Sequence, residues 1–199
     1  MTPQIADRSA DGSRPVNCVF GTFDTPVGRL KLVARDSALV AILWVPDRPG
    51  RVDPGPMDWD GEHPVLLETA RQLRQYFAGQ RRCFDLPLSF GGTPFQRKVW
   101  QALLTIPFGQ TLSYRAVARR IGHEDAVRAV GAANGRNPIS IVAPCHRVVG
   151  SAGELTGFAG GIEAKRWLLR LEGAPEGIGC AAQASMPRKP PLWCAHRRA

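Results

Sequence analysis

The apolar pattern of this 199-residue chain changes its period at Gly91-Gly92. Before the pair, apolar residues alternate, or run continuously in short stretches between turn residues. After it they recur every three or four positions. A repeat of two belongs to strands and a repeat near 3.6 to helices. The sequence therefore predicts an α+β chain: a small N-terminal α/β domain, built as a three-stranded antiparallel sheet plus a helix, followed by a mostly helical C-terminal domain. The expected boundaries are a leader over 1–15, the first domain over 16–90, the second over 93–173, and a basic, proline-containing, disordered tail over 174–199.

In the first half, Asn17 to Asp24 and Arg29 to Ala34 read as strands on either side of the turn Thr25-Pro26-Val27-Gly28. Ala38 to Val45 is a continuous apolar run and predicts a central strand. At eight residues it is far short of the about 20 that cross a membrane. Pro46 to Asp60 holds four prolines and reads as a loop. Leu66, Ala70, Leu73 and Phe77 recur at helical spacing up to Gly79. Phe84, Leu86 and Leu88 alternate as a short strand.

Past the glycine pair, Thr93 is a predicted N-cap, with Pro94 at the first helical position and Gln96 three residues after the cap. Phe95, Val99 and Leu103 form the apolar stripe, and Pro107 and Gly109 stop the helix. Ser113 caps a second helix with Val117 and Ile121 inward, ending at Gly122. A third helix starts at Asp125 and runs to about Asn134. Two short helices joined by a tight turn make a helix-turn-helix. On the third, Arg128, Ala132 and Gly135 share an outer face with Ala129 nearby. Gly131 sits mid-helix at a cost of about 1 kcal/mol against alanine. Such small side chains suit close helix packing, or approach to a narrow DNA minor groove about 6 Å wide.

Charge favours the second of these. The net formal charge is +9, yet residues 1–92 balance to zero, whereas 93–173 carry +6 and 174–199 carry +3. A polyanionic partner is one reading, and a basic protein kept dispersed by its charge is the other. The polar first fifteen residues lack the apolar core of a secretory signal, so a cytoplasmic, reducing compartment is expected. Five widely spaced cysteines without a Cys-x-x-Cys pair speak against a disulfide framework or a zinc cluster. Among them Cys145 stands out in Pro144-Cys145-His146-Arg147. An imidazole that takes the proton and a nearby guanidinium would both favour the nucleophilic thiolate. Side chains adjacent on a strand point apart, so this pair requires a bent loop or a bridging water. A merely structural Cys-His dipeptide is the alternative.

Pro144-Cys145-His146-Arg147-Val148-Val149 resembles the active-site signature of the O6-alkylguanine-DNA alkyltransferases, also called methylated-DNA–protein-cysteine methyltransferases. The resemblance extends in order from Thr93 to Gly173. It takes in Ser113-Tyr114, Arg128-Ala129-Val130-Gly131-Ala132-Ala133-Asn134, Asn137-Pro138, Thr156-Gly157-Phe158-Ala159-Gly160-Gly161, Lys165, Trp167-Leu168-Leu169 and Glu172-Gly173. It implies direct repair of O6-alkylguanine in double-stranded DNA, bound through the minor groove by a monomer, with no cofactor, metal or membrane. The nucleotide is flipped out and its alkyl group moves irreversibly to Cys145. By the same resemblance His146 takes the thiol proton through a water, Glu172 orients the ring, Tyr114 protonates the departing guanine and Asn137 braces the loop. Arg128 fills the gap left by the base, while Ala129, Gly131, Ala132 and Gly135 lie against DNA. Val148, Phe158, Ala159 and Ser140 belong to the alkyl-base pocket.

Four positions depart from the family pattern: Ser140, Ala143, Ala159 and Leu171. Ala159 in particular cannot supply a side-chain hydrogen bond to the lesion oxygen. Competing functions are a DNA-binding relative without the cysteine, which Cys145 opposes, a methylation-sensing regulator, which would need four cysteines in an N-terminal zinc module, and a cysteine hydrolase.

Overall fold

A computed structural model describes residues 17–174, so the predicted leader and tail, with Cys180 and Cys194, lie outside the described residues. The first three strands form where the pattern predicts: β1 (Cys18–Thr25), β2 (Gly28–Arg35) and β3 (Ala38–Val45), an antiparallel meander. Thr25 closes the first turn, its hydroxyl accepting from the Val27 amide at 3.1 Å and donating to the Gly28 carbonyl at 2.6 Å.

The sheet has four strands, not three. β4 (Met57–Trp59) lies inside the proline-rich segment read as loop and pairs parallel with β1, giving the order β3-β2-β1-β4. Three residues are too few for an alternation to register. Ala38–Val45 is an edge strand rather than a central one. It nonetheless buries its apolar run, because other segments cover its edge. The Leu39 amide donates to the Pro87 carbonyl at 2.8 Å and the Ile42 amide to the Pro138 carbonyl at 2.9 Å. An exposed edge of this length would invite pairing with other chains. The strand expected at Phe84–Leu88 is reduced to one bridge, Leu39 to Leu88. Pro87 has no amide to extend a ladder, and both Asp85 backbone groups are bonded by the buried Gln72 side chain.

Helix α1 (Pro64–Phe77) packs on this sheet and buries Leu66, Leu73 and Tyr76 in the core they share. After the glycine pair, α2 (Pro94–Leu103) starts with the predicted capping box, Thr93 and Gln96 bonding each other's backbone. Gly92 is obligatory here. Its φ is +83° and a Cβ would meet the Gln96 side chain at 2.7 Å. Then follow β5 (Leu112–Ser113), α3 (Tyr114–Arg120, capped by Ser113), α4 (Val127–Gly135), β6 (Val148–Val149) and α5 (Gly161–Leu171). Helices α3 and α4 form the predicted helix-turn-helix, although α4 begins without a side-chain cap. The parallel β5–β6 pair, two residues long on each side, left no pattern in the sequence.

One apolar core runs through both halves. Leu30, Ile42 and Trp44 of the sheet join Leu103, Ile139, Cys145 and Leu168 in a single cluster. The other sheet face buries a small separate group around Cys18, Val33 and Leu43.

Candidate active site and DNA-facing cleft

The segment after α4 is held in a shape few sequences adopt. Asn137, wholly buried, donates from Nδ2 to the Ala143 carbonyl at 2.7 Å and accepts the Ile139 amide on Oδ1 at 3.1 Å. Between them Ile141 has φ +71°. That conformation is an outlier for a β-branched residue and costs about 1–3 kcal/mol, sustained only where surrounding bonds over-determine it. Asn137 and the Ala143-to-Ile139 backbone bond supply that constraint. Pro144 then leads into a 3₁₀ turn over Cys145–Arg147, which is the bent path that the Cys-His pair needs.

The residues of this turn are buried and point to different partners. His146 Nε2 lies 2.9 Å from Glu172 Oε1. Arg147 forks onto the same carboxylate, Nε to Oε2 and Nη2 to Oε1, both at 2.8 Å, and donates through Nη1 to the Ile106 carbonyl at 2.5 Å. The Tyr76 hydroxyl donates to Oε1 at 2.7 Å and the Gly109 amide to Oε2 at 3.3 Å. Gly109, with φ +75°, is required for this approach, since a Cβ there would sit 2.8 Å from the Glu172 carbonyl oxygen. Arg147 thus serves Glu172 rather than the thiol. The cations that favour the Cys145 thiolate are Lys165 and Arg51, together with a hydrogen bond from Asn137.

Burial governs the protonation of the whole cluster. It pushes the Cys145 thiol above its ordinary value despite Asn137, Lys165 and Arg51, so the sulfur rests as a thiol at neutral pH. It pushes His146 down, against the pull of Glu172, so the ring rests neutral. Burial opposes ionisation of Glu172 too, but His146 and Arg147 overcome it and hold the carboxyl well below the usual range. Lys165, wholly buried, donates from Nζ to the Val148 carbonyl at 2.6 Å and the Thr156 carbonyl at 3.0 Å, and desolvation brings its pKa down to about 8. With Nε2 directed at Glu172, His146 Nδ1 is buried and without a hydrogen-bond partner among the described residues.

Beside this cluster opens a cleft of about 650 Å³. Of the residues expected to meet DNA or the altered base, Tyr114, Arg128, Gly131, Gly135, Phe158 and Ala159 line it. Ala129 and Ala132 stand exposed on the same helix but do not line the cleft. Val148 is wholly buried, its carbonyl engaged by Lys165. Ser140 is also wholly buried and accepts a hydrogen bond from the indole of Trp44 at 3.3 Å, which places it behind the loop. The Tyr114 hydroxyl accepts from Thr156 at 3.0 Å. Burial raises its pKa, and nearby Cys145 adds to the rise.

Sequence reasoning missed Arg48 and Arg51, which line the cleft from the proline-rich loop of the charge-neutral half. Arg51 is fixed by Asp47 at 2.6 Å and donates to the Asn137 carbonyl at 2.7 Å. It also missed Tyr76. A tyrosine within an apolar helical stripe was the available signal, since a buried phenol needs a partner.

A helix-turn-helix whose exposed face borders a cleft, with a buried His–Glu pair and a buried cysteine on the turn behind it, is the arrangement of a DNA-binding protein. Residues 18–90 match the ribonuclease-like domain, and residues 94–174 the DNA-binding domain, of 6-O-methylguanine DNA methyltransferase. The chain is 45 % identical over 153 residues to the methylated-DNA–protein-cysteine methyltransferase of Mycolicibacterium paratuberculosis, spanning 77 % of this chain and 91 % of that one. It is 41 % identical over 155 residues to the protein of the same name from Methanosarcina acetivorans, spanning 78 % and 98 %. A crystal structure of Mycobacterium tuberculosis OGT in complex with DNA superposes with a TM-score of 0.71 at 45 % identity, covering 79 % of this chain and 95 % of that chain. The chain belongs to the methylated-DNA–protein-cysteine methyltransferase family.

Proposed function

We propose that this protein repairs O6-alkylguanine in double-stranded DNA by one irreversible transfer of the alkyl group to Cys145. The observation that carries the reading is the buried, hydrogen-bonded His146–Glu172 pair, with Cys145 buried one residue before it on the same 3₁₀ turn, near a cleft bordered by Tyr114 and Arg128. The helix-turn-helix meets the minor groove through Arg128, Ala129, Ala132 and Gly135, and Arg128 takes the place of the lesion nucleotide as it turns out into the cleft. Extrusion costs a few kcal/mol, least for a damaged pair.

His146, with its Nε2 proton on Glu172, presents Nδ1 as the base. It receives the Cys145 proton through a water, and Glu172 balances the imidazolium. The sulfur attacks the alkyl carbon, the carbon–O6 bond breaks, and its electron pair stays with the purine. Tyr114 gives its hydroxyl proton to the guanine, which leaves neutral, and the Tyr114 phenolate recovers a proton from the His146 imidazolium through water. A pKa raised by burial keeps that proton in place until it is needed. The product thioether is stable, so one molecule removes one lesion. The protein works as a cytoplasmic monomer. No helix among the described residues is long and apolar enough to cross a membrane.

Incubation with duplex DNA containing O6-methylguanine should add a single methyl mass, once, on the peptide carrying Cys145. Continued turnover or an unmodified Cys145, read by intact and peptide mass spectrometry, would reject the proposal.

A further inference from the structure

Tyr76 belongs to the N-terminal domain, yet its hydroxyl ends on the carboxylate that holds His146. The residue is wholly buried, its ring packed against Phe77, Phe84 and Phe108. Packing alone would be served by phenylalanine. The hydroxyl is instead aimed at Oε1, the oxygen that His146 and Arg147 Nη2 share, at the shortest of the three distances. A hydrogen bond donated to a carboxylate in a dry site draws charge toward the donor. It thereby weakens what that oxygen offers the imidazole.

We propose that Tyr76 is a positioning residue for alkyl transfer: its hydroxyl fixes Glu172 Oε1 and tempers the hold of the carboxylate on His146, so the N-terminal domain tunes the base. The proton-transfer part of this inference rests on the function proposed above, whereas the hydrogen-bond geometry does not. The charged and titratable groups that act on the pair are Arg147 on the 3₁₀ turn, Lys165 on α5 and Tyr76 itself. Arg147 and Lys165 disfavour a charged ring and Glu172 favours it. Removing the Tyr76 hydroxyl leaves the cations in place and returns charge to Oε1. The His146 ring then becomes easier to protonate, and a base that is protonated sooner fails at higher pH.

The test compares the wild type with Tyr76→Phe and Tyr76→Leu. Ring titration of His146 by NMR, in the full chain without DNA, should shift upward by about half a pH unit in Tyr76→Phe. The acidic limb of the single-turnover methyl-transfer rate should move the same way, with DNA affinity unchanged. Tyr76→Leu removes the ring as well and should show the same shift together with lowered stability. If Tyr76→Phe matches the wild type in both titration and pH profile, while Tyr76→Leu only loses stability, the hydroxyl is packing decoration and the proposal is overturned. If the wild type transfers no methyl group, the functional reading fails, and the ring titration still decides the role of Tyr76.

Discussion

Around Glu172, five donors from three separate stretches of chain converge on one carboxylate away from solvent. Along the outer face of α4, after the exposed Arg128, the small residues Ala129, Ala132 and Gly135 stand exposed and little projects beyond the backbone. The first region is defined by groups that are present and bonded to one another, with His146 Nδ1 left over. The second is defined by what has been trimmed away, which leaves the backbone open to close approach. Chemistry on a buried thiol needs a fixed base, and fixing it in a low-dielectric site demands that every charge be answered. Recognition of a groove needs clearance instead.

Substitutions should therefore act differently in the two regions. Cys145→Ala should abolish the methyl adduct completely while duplex binding, followed by mobility shift, persists; an adduct elsewhere on the chain would break the assignment. Glu172→Gln leaves Arg147 facing a neutral amide and should lower stability by about 3 kcal/mol, as removal of one partner from a buried ion pair does, read as the denaturation midpoint. Arg128→Ala should slow repair in duplex DNA by about tenfold to a hundredfold, from loss of a few kcal/mol of support for the flipped state, with transfer from the free base unaffected. Equal losses on both substrates would remove Arg128 from the flipping step. Gly131→Ala sharpens the comparison most. A Cβ there meets only the Tyr114 ring at 3.9 Å. The variant should gain up to about 1 kcal/mol in stability and still bind DNA a few-fold more weakly.

Acid sensitivity belongs to the buried region. Folding lowers the pKa of His146 from its ordinary 6.5 and that of Glu172 from 4.5. As pH falls through those ordinary values, the unfolded chain takes up protons first, so the cluster's contribution to stability is full above about 6.5 and is lost progressively below it. Denaturant melts between pH 7 and 4 should record this decline. Glu172→Gln should flatten the part below 4.5.

The sequence revealed the helices after Gly92 more fully than the buried cluster. Capping residues, helix punctuation and the run of small residues are local signals; α2 and α3 start at the caps those signals mark, whereas α4 starts at Val127, two residues past the expected Asp125 and without a side-chain cap. The Cys145–His146 neighbourhood was legible through its motif. Glu172 was assigned through resemblance, and its number of partners was not legible at all. Tyr76 and Gly109 reach it across 96 and 63 residues of chain, and no periodicity encodes such a meeting. The same holds for β4, β5 and β6, each two or three residues long and defined only by the strand beside it.

The core that runs unbroken from Leu30 to Leu168 bears on how the molecule comes apart. Gly91-Gly92 divides two rhythms of sequence, but it does not mark a seam in stability. Severed there, each fragment would carry a raw apolar wall that only the other can cover. Heating should accordingly melt both halves in one calorimetric peak, and neither fragment should hold its shape by itself.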